Sequence, residues 1–462
     1  MRFSAYKSYL LSVLLAVLVF NYVDRTALSV TLQSIKLEFG LSDLQVGLLT
    51  GIAFAFFYSV MGMPIARWAD RGNRVAIITW TTALWSVAVA MCGIAGNFLQ
   101  LMLIRVGVAV GEAGCIPPAH SLIADYFPRT ERPRAAAIYM LGIPLSMVVG
   151  FFAAGWLNEL YGWRVTFVLV GLPGVVLAPV AWLTLSEPRR TGRSVTAGAG
   201  LGSRESRGVT PPVAVPGFFK VLRTLWGNRT FRQILFAYSI LSFSGQGVAQ
   251  WKPAFFIRSF GMQTGDLGTW LAAIYAVSGL LGTYGGGRLA SRYAAANERL
   301  QLRAMAVAYS SNGLISAFMY FSPNQYIAFA FMAVALLGGH MAVGPMFATI
   351  QTLVPERMRA MSIAIVFLCA NLIGMGLGPV ATGALSDALH PLLGEESLRY
   401  ALLAMCPASF WGGWHLWRAS KSVADDIELL QGRAQPEGAR GECSELQIGS
   451  EPKLGHWEAR RL

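Results

Sequence analysis

Charged residues are scarce in this chain of 462 residues, of which Asp, Glu, Lys and Arg make up only 13%. A soluble domain carries about a quarter charged residues. Hydrophobic residues make up 55% of the chain and form long blocks rather than short alternating runs. This arrangement is typical of helices that cross a membrane, and it excludes an ordinary soluble globular protein.

Paired cysteines and the common catalytic motifs are also absent. The five cysteines show no CxxC spacing, which excludes a disulfide framework and a cysteine-based metal site. The sequence contains no GxxxxGK[ST], HExxH or GxSxG motif, so ATP-driven pumping and common hydrolytic chemistry lack their parts. We therefore expect no enzyme activity, no cofactor and no bound metal.

Twelve apolar segments follow one another along the chain, and each is long enough for a membrane helix of about 20 residues. They fall at 8–32, 44–66, 75–95, 98–126, 135–157, 164–185, 231–256, 267–290, 302–321, 324–350, 360–386 and 397–418. No small-residue cleavage site follows the first segment, which favours a spanning helix over a removed signal peptide. The sequence predicts an all-α membrane protein with a six-helix bundle at 1–186, a cytoplasmic linker at 187–230, a second bundle at 231–418 and a disordered cytoplasmic tail at 419–462.

Positive charge is concentrated on alternate connections between these segments. The stretches 67–74, 129–134, 187–230, 288–303 and 355–359 hold 3, 3, 8, 4 and 2 Lys or Arg. The opposite connections hold few, and we assign to them Lys36, Arg164, Lys252, Arg258 and Arg399. Short basic connections stay in the cytoplasm, so both termini are predicted to be cytoplasmic. The net charge of +13 is then a signal of membrane orientation, and we expect no nucleic-acid partner.

The two halves of the chain resemble each other. The stretch 111–135 aligns with 338–360, so that Gly111 pairs with Gly338, Pro118 with Pro345, and the ERPRA that ends the first stretch with ERMRA. ARWADR at 66–71 likewise matches GRLASR at 287–292. Two matches in the same order predict a transporter built from two related six-helix halves.

With these features the sequence resembles the major facilitator superfamily over nearly all of its length up to residue 418. ARWADRGNR at 66–74 is similar to the superfamily signature GxxxDRxGRR, with Ala66 in place of the first Gly. The resemblance implies a cytoplasmic latch formed by Asp70, Arg71 and Arg74, which holds the two halves together when the protein opens outward. Ser291 stands at the position of Asp70 in the second half, which predicts a weaker latch there.

Three stretches resemble the spinster family of lysolipid and sphingolipid transporters. They are NYVDR at 21–25, RVGVAVGEAG at 105–114 and GMGLGPVATG at 374–383. This resemblance implies proton-linked transport of an amphipathic lipid, and it gives Asp24, Arg25, Arg105 and Glu112 as the coupling and binding group. We expect Asp24 and Glu112 to bind protons and the two arginines to bind substrate.

The position of these four residues supports one shared network. Each charge costs at least ~2.5–3.5 kcal/mol near the centre of a bilayer, so unpaired placement in lipid is unfavourable. Asp24 and Arg105 each lie about seven residues from the outer ends of oppositely directed helices, which puts them at similar depth. Arg105 and Glu112 lie two turns apart on one helix face. The four side chains can therefore face a central cavity together, or they can simply join the two helices.

Several polar residues at membrane depth are further candidates for substrate binding: Asn21, Tyr238, Gln246 and Asn371. Interhelical hydrogen bonding explains each of them equally well. The sequence predicts a secondary active transporter that is coupled to protons and moves an amphipathic or lipid-like small molecule by alternating access. The alternatives are a general drug or organic-anion carrier and a membrane sensor. We expect a monomer in the inner membrane of the cell, in contact with membrane lipid, with a lysolipid as one candidate substrate.

The orientation of the loops can be tested by cysteine labelling. We expect single cysteines placed at Glu395 and at Arg193 to react from opposite sides of the membrane, because the two residues lie on connections of opposite parity. The measurement is labelling of intact and of permeabilised cells with a membrane-impermeant maleimide. Reaction of both positions from the same side would refute the twelve-helix topology.

Overall fold

The computed structural model describes residues 4–188, 218–294, 297–354 and 358–434. Within these ranges the chain is almost entirely helical and contains no strand. Most of the linker predicted at 187–230 and the last part of the predicted tail lie outside the described residues. The described residues 4–8, 184–188, 218–230 and 420–434 lie at one end of the molecule, called the terminal end below. The connection at 40–42 lies at the opposite end, called the distal end.

The first bundle contains six helical columns, α1 to α6. The first three are α1, Ala5–Phe39; α2, Asp43–Thr50 with Ile52–Arg71; and α3, Arg74–Cys92. The column α4 consists of Phe98–Glu112 and Ile116–Tyr126. The columns α5 and α6 comprise Arg132–Met140 and Gly142–Thr184. They are divided at Gly162, whose φ of 78° breaks the helix and lets the chain turn back.

The second bundle repeats this order with α7 to α12, after a short helix at Phe218–Gly227. Its first four columns are α7, Arg229–Phe260; α8, Thr264–Tyr293; α9, Glu298–Phe321; and α10, Gln325–Thr352. The column α11 consists of Arg359–Cys369, a π-helical stretch Ala370–Leu377, and Gly378–Leu393. A 3₁₀ turn at Gly394–Glu396 leads into α12, which comprises Ser397–Met405 and Pro407–Ala434.

Eight helical stretches of the described chain are long and apolar enough to cross a membrane. Two of them, Arg132–Thr184 and Met361–Leu429, each contain two columns. The remaining columns, α7 and α9, carry more polar side chains. The predicted fold class, twelve membrane helices in two related six-helix bundles, is confirmed.

Two local features differ from the sequence-based expectation. The last helix continues past the predicted boundary at residue 418, because Leu416, Ala419 and Val423 are buried and Asp426 accepts a hydrogen bond from the backbone N–H of Thr230 at 2.8 Å. Lys252, which we assigned to a connection, lies inside α7, eight residues before the end of that helix. The apolar segment 231–256 already contains Lys252, and α7 continues about one turn beyond that segment to Phe260.

The two bundles meet at the distal end. There α2 packs against α11, α5 against α8, and α1 against α7. Glycines allow the backbones to approach closely: a Cβ on Gly47 would lie 2.6 Å from the carbonyl O of Pro379, and one on Gly155 would lie 2.4 Å from the carbonyl O of Thr264. The distal end is therefore closed by backbone contact as well as by side chains.

We expect Gly47→Ala to separate α2 from α11 at the distal end. The added methyl group would meet the backbone of Pro379 and Val380, which can move away only if the helices part. The measurement is the labelling rate of Leu28→Cys, which lies beneath this contact beside Thr50 and Phe54, in a background without native cysteines. The rate from the distal side should rise.

Gly62→Ala is the matched control, because no atom lies within 4 Å of the Cβ position of Gly62 on the same column. It should leave the labelling rate of Leu28→Cys unchanged. Equal rates in Gly47→Ala and Gly62→Ala would mean that the close approach of α2 and α11 does not hold the distal end shut.

Candidate transport site

The four residues predicted as the coupling group form two ion pairs between α1 and α4. Arg105 binds the carboxylate of Asp24. Arg25 donates from Nε and Nη2 to Oε2 of Glu112, at 3.0 and 2.7 Å. Each acid on one helix is thus paired with an arginine on the other. The structure brings together the predicted coupling group.

The two acids of these pairs are sealed from the main cavity. Asp24 and Glu112 are 0% exposed, whereas the side chain of Arg25 is 12% exposed and lines the cavity. Asp24 Oδ1 and Glu112 Oε1 have no hydrogen-bond partner among the described residues. Neither acid lines the cavity, although the sequence allows all four charged side chains to face it. Of the four charged residues, Arg25 is the one that lines this cavity.

Aromatic rings hold the Arg25 guanidinium in place. Its carbon lies 4.3 Å from the ring centre of Tyr22, 4.7 Å from that of Phe54 and 5.0 Å from that of Tyr58. A cation over an aromatic face is attracted to it, and the attraction grows when water is excluded. Arg25 therefore stays oriented towards Glu112 while one of its faces remains available to the cavity.

The helix break in α4 places Glu112 at this position. The first piece of α4 ends at Glu112, and the second begins at Ile116 ahead of two prolines. Gly111 allows α3 to come close, because a Cβ there would lie 2.7 Å from Trp85. The GEAG sequence that follows the RVGVAV run therefore both breaks the helix and admits the neighbouring column.

The main cavity lies between the two bundles and has a volume of about 630 Å³. This is within the range of about 300–1,000 Å³ that is typical of small-molecule sites. Gln246 of α7 and Asn371 of the π-helical stretch of α11 line it, as predicted for substrate-binding residues. Much of the wall is apolar and consists of Ile116, Met140, Ile143, Met147, Phe151, Phe367 and Met375.

The other two polar candidates occupy different places. Asn21 is fully buried, and neither atom of its amide has a partner among the described residues. It lies one turn before Asp24 on α1 and does not line the main cavity. Tyr238 lines a second chamber of about 370 Å³ inside the second bundle, next to the main cavity. Of the four polar candidates, Gln246 and Asn371 border the main cavity.

An ion-pair cluster closes the distal end above the cavity. Arg258 of α7 donates to both carboxylate oxygens of Asp43 on α2, at 2.7 and 2.8 Å. Lys36 of α1 contacts the same carboxylate at 2.5 Å, and Ser386 of α11 donates to it at 2.6 Å. The backbone N–H groups of Asp43 and Leu44 donate to Asp387 of α11. This cluster, the distal gate, joins the two bundles through buried charge.

The predicted latch residues lie at the terminal end of the first bundle. Asp70 and Arg71 are exposed at the end of α2. Arg74 is fully buried and binds Glu187, Asp125 at 2.7 Å and the carbonyl O of Ser121 at 3.0 Å. These contacts of Arg74 join α3, α4 and the end of α6 within one bundle. The latch stays a prediction, which the accessibility of cavity cysteines in Asp70→Asn would test.

Sequence reasoning missed the distal gate and Lys252. We assign Lys36, Arg258 and Lys252 to connections from the sequence, because each lies at or near the end of an apolar segment. Asp43 follows Ser42, a helix-capping residue, so an acid there suggests only the start of a helix. The available signal was the placement of acids and bases next to distal connections in both halves: Lys36 and Asp43 in the first, Arg258 and Asp387 in the second.

The comparisons with known proteins agree with this geometry. The sequence profile of the Major Facilitator Superfamily matches residues 14–379. An MFS-type efflux pump of Mycolicibacterium smegmatis is 32% identical over 411 residues, which cover 88% of this chain and 91% of that protein. A probable L-galactonate transporter of Escherichia coli is 26% identical over 396 residues, which cover 83% of each chain.

A solved structure is similar over almost its whole length. It is the crystal structure of a bacterial homologue of the human lysosomal transporter spinster, in an inward-facing and unoccupied conformation. The two chains are 30% identical with a TM-score of 0.79, and the match covers 92% of this chain and 99% of that one. The predicted resemblance to the spinster family is confirmed.

The fold and the cavity between two bundles define a membrane transporter rather than an enzyme. The chain belongs to the Major Facilitator Superfamily, whose profile matches most of its length. It is an integral membrane protein with several membrane-crossing helices.

We expect Arg105→Met to destabilise the protein, because it leaves the Asp24 carboxylate buried without its partner. Breaking a buried ion pair from one side typically costs about 3–5 kcal/mol. The double variant Asp24→Asn/Arg105→Met should recover part of this loss, since it removes both charges. The measurement is the apparent Tm of the purified protein in detergent.

Lys7→Met serves as the control variant. Lys7 pairs with Glu131 at 2.9 Å with side chains 22% and 28% exposed, and such pairs contribute about 0–1 kcal/mol. If Arg105→Met lowers the Tm no more than Lys7→Met does, the buried pair with Asp24 is not a stabilising contact.

Proposed function

We propose that this protein is a proton-coupled secondary transporter that moves an amphipathic small molecule by alternating access. The observation that carries the proposal is the position of two buried acid–base pairs beside a cavity that is closed at the distal end. A charge at membrane depth is costly, and ionisable residues there mark substrate paths and proton relays.

We assign the terminal end to the cytoplasm of the cell, which makes the structure inward-facing. The basic connections at 67–74 and 129–134 lie at the terminal end and favour this assignment. The similarity to a spinster homologue in an inward-facing conformation supports the same state. The distal gate would then separate when the cavity opens to the outside.

Conformational change would alter the proton affinity of the two acids. Burial disfavours the charged form of a carboxylate, whereas its arginine partner favours that form. Movement between α1 and α4, or entry of water, changes both effects at once. Protonation of Glu112 would release Arg25 towards the cavity, while protonation of Asp24 would release Arg105, which is only 2% exposed. The two pairs would therefore have different roles: Asp24 couples transport to protons, and Glu112 controls Arg25.

The main cavity favours a cargo with a substantial apolar part. Its wall combines methionine and phenylalanine side chains with a few polar groups, among them Gln246 and Asn371. Methionine adapts its shape to different apolar ligands. The similarity to a spinster homologue supports a lipid-like cargo, and a lysolipid remains the candidate that the resemblance implies.

A general carrier of organic anions or drugs is the second candidate. It is favoured by the similarity to a protein described as an efflux pump and to one described as a probable L-galactonate transporter. Arg25 could serve either cargo, because a guanidinium binds carboxylate and phosphate alike. Transport of L-galactonate alongside a fluorescent lysophosphatidylcholine would distinguish the two.

We expect Asp24→Asn to abolish accumulation driven by a pH gradient while leaving some downhill exchange, because asparagine mimics the protonated acid with little change in shape. The measurement is uptake of fluorescent lysophosphatidylcholine into proteoliposomes, with and without an imposed gradient. Glu112→Gln in the same assay should change the apparent affinity, because it frees Arg25.

The exposed Asp266→Asn at the distal surface is the control and should respond to the gradient like the parent protein. A full response of Asp24→Asn to the gradient would make Asp24 a structural residue and refute the coupling assignment.

A further inference from the structure

The second chamber contains a cation that no described acidic group neutralises. Lys252 of α7 lines it, and the described residues supply neither a hydrogen bond nor an ion pair to its ammonium group. No aspartate or glutamate lies among the described residues that line this chamber. By contrast, the arginines and acids of the two pairs between α1 and α4 neutralise each other.

Lys252 lies too deep to be explained by contact with the membrane surface. Eight residues separate it from the end of α7 at Phe260, which corresponds to about 12 Å along the helix. This distance exceeds the length of an extended lysine side chain. An unpaired ionisable residue at such a depth is a functional candidate by default.

Hydrogen-bonding groups surround the chamber. The hydroxyl of Tyr320 is buried and has no partner among the described residues. Asn312 accepts from Ser316 at 3.3 Å, which leaves its amide nitrogen free to donate. His340 donates from Nδ1 to the carbonyl O of Leu336 at 2.8 Å, because a carbonyl can only accept. The chamber therefore offers one positive charge and several uncommitted polar groups.

We propose that the second chamber binds the anionic group, a carboxylate or a phosphate, of the transported amphipathic molecule through Lys252. The chamber adjoins the main cavity, since Gln246, Ala249 and Tyr275 line both. The charged group of one molecule can then lie at Lys252 while its apolar part lies along the methionine and phenylalanine wall. This assignment rests on the proposed function, since it requires an amphipathic cargo.

The charge pattern explains why Lys252 rather than Arg25 selects an anion in this state. Arg25 is held by Glu112 and three aromatic rings, so an anion must compete with an existing partner. Lys252 has no such competitor. Charge-assisted hydrogen bonds contribute about 1.5–3 kcal/mol each, which corresponds to about tenfold or more in affinity.

Native mass spectrometry of the intact protein tests this assignment without a proton gradient. The probes are lysophosphatidic acid, the uncharged monoacylglycerol with the same acyl chain, and inorganic phosphate. The parent protein should bind lysophosphatidic acid about tenfold or more tightly than monoacylglycerol. Lys252→Met should lose this preference while it binds monoacylglycerol unchanged, and Lys252→Arg should keep most of it.

The control and the stability readout exclude an indirect effect. Lys421→Met removes the same kind of charge from an exposed position on α12 and should keep the parent's preference. Lys252→Met should also hold or raise the apparent Tm, because it removes an uncompensated charge. A lysine that serves only to support the fold would lower the Tm when replaced.

Three results would overturn the assignment: no preference for the anionic lipid in the parent, an unchanged preference in Lys252→Met, or full displacement of lysophosphatidic acid by an equal concentration of inorganic phosphate. The last result would identify a site for small inorganic anions instead. Because binding is measured at equilibrium, failure of gradient-driven transport in the Asp24 experiment would leave this result intact.

Discussion

Burial of charge in a membrane is the constraint on which the arrangement of this protein depends. A side chain such as Asp24 is tolerated at membrane depth only with a partner, and Arg105 on the antiparallel column α4 supplies it. The partner fixes the depth of α1 relative to α4. It also fixes the position of the neighbouring pair, because Arg25 follows Asp24 directly and Glu112 follows Arg105 by two turns. These two contacts therefore position the part of the cavity wall that α1 and α4 supply.

The same constraint operates at the distal gate with a different outcome. Asp43 forms ion pairs with Arg258 of the second bundle and Lys36 of the first, so its charge holds the two halves together. The pairs of Asp24 and Glu112 lie within one bundle and can persist while the bundles move apart. The gate joins two bundles and must break when the distal end opens. Location within or between bundles thus separates the charges that we propose serve coupling from those that we propose serve gating.

Lys252 is the exception to this pattern of paired charges. The first bundle presents balanced pairs, whereas the second contains a chamber with a cation and no described acid. A cavity with this asymmetry favours a molecule that brings its own negative charge. Two helical irregularities border the main cavity. They are the break after Glu112 in α4 and the π-helical stretch with Asn371 in α11. Such irregularities are frequent at functional sites.

The fold and the grouping of four charged side chains between α1 and α4 could be predicted from the sequence, since both rest on local or strongly constrained signals. Long apolar blocks specify membrane helices, and alternating basic connections specify their parity. Asp24, Arg25, Arg105 and Glu112 were recognisable because charges inside apolar segments are rare and must find partners. Even so, their exact pairing was open, as either arginine could have bound either acid.

Only the tertiary structure decided which charge lies between bundles and which lies inside a chamber. Lys252, Arg258 and Lys36 look alike in the sequence, as single bases near the distal ends of apolar runs. The packing of α7 directs Lys252 into the second bundle and Arg258 towards Asp43 on α2. Likewise, the burial of Asn21 and the exposure of Gln246 to the cavity follow from the rotation of each helix about its axis. The sequence by itself determined the number, order and polarity of the helices, because those depend on the membrane. The contacts between helices depend on packing across distant segments, which no single stretch of sequence specifies.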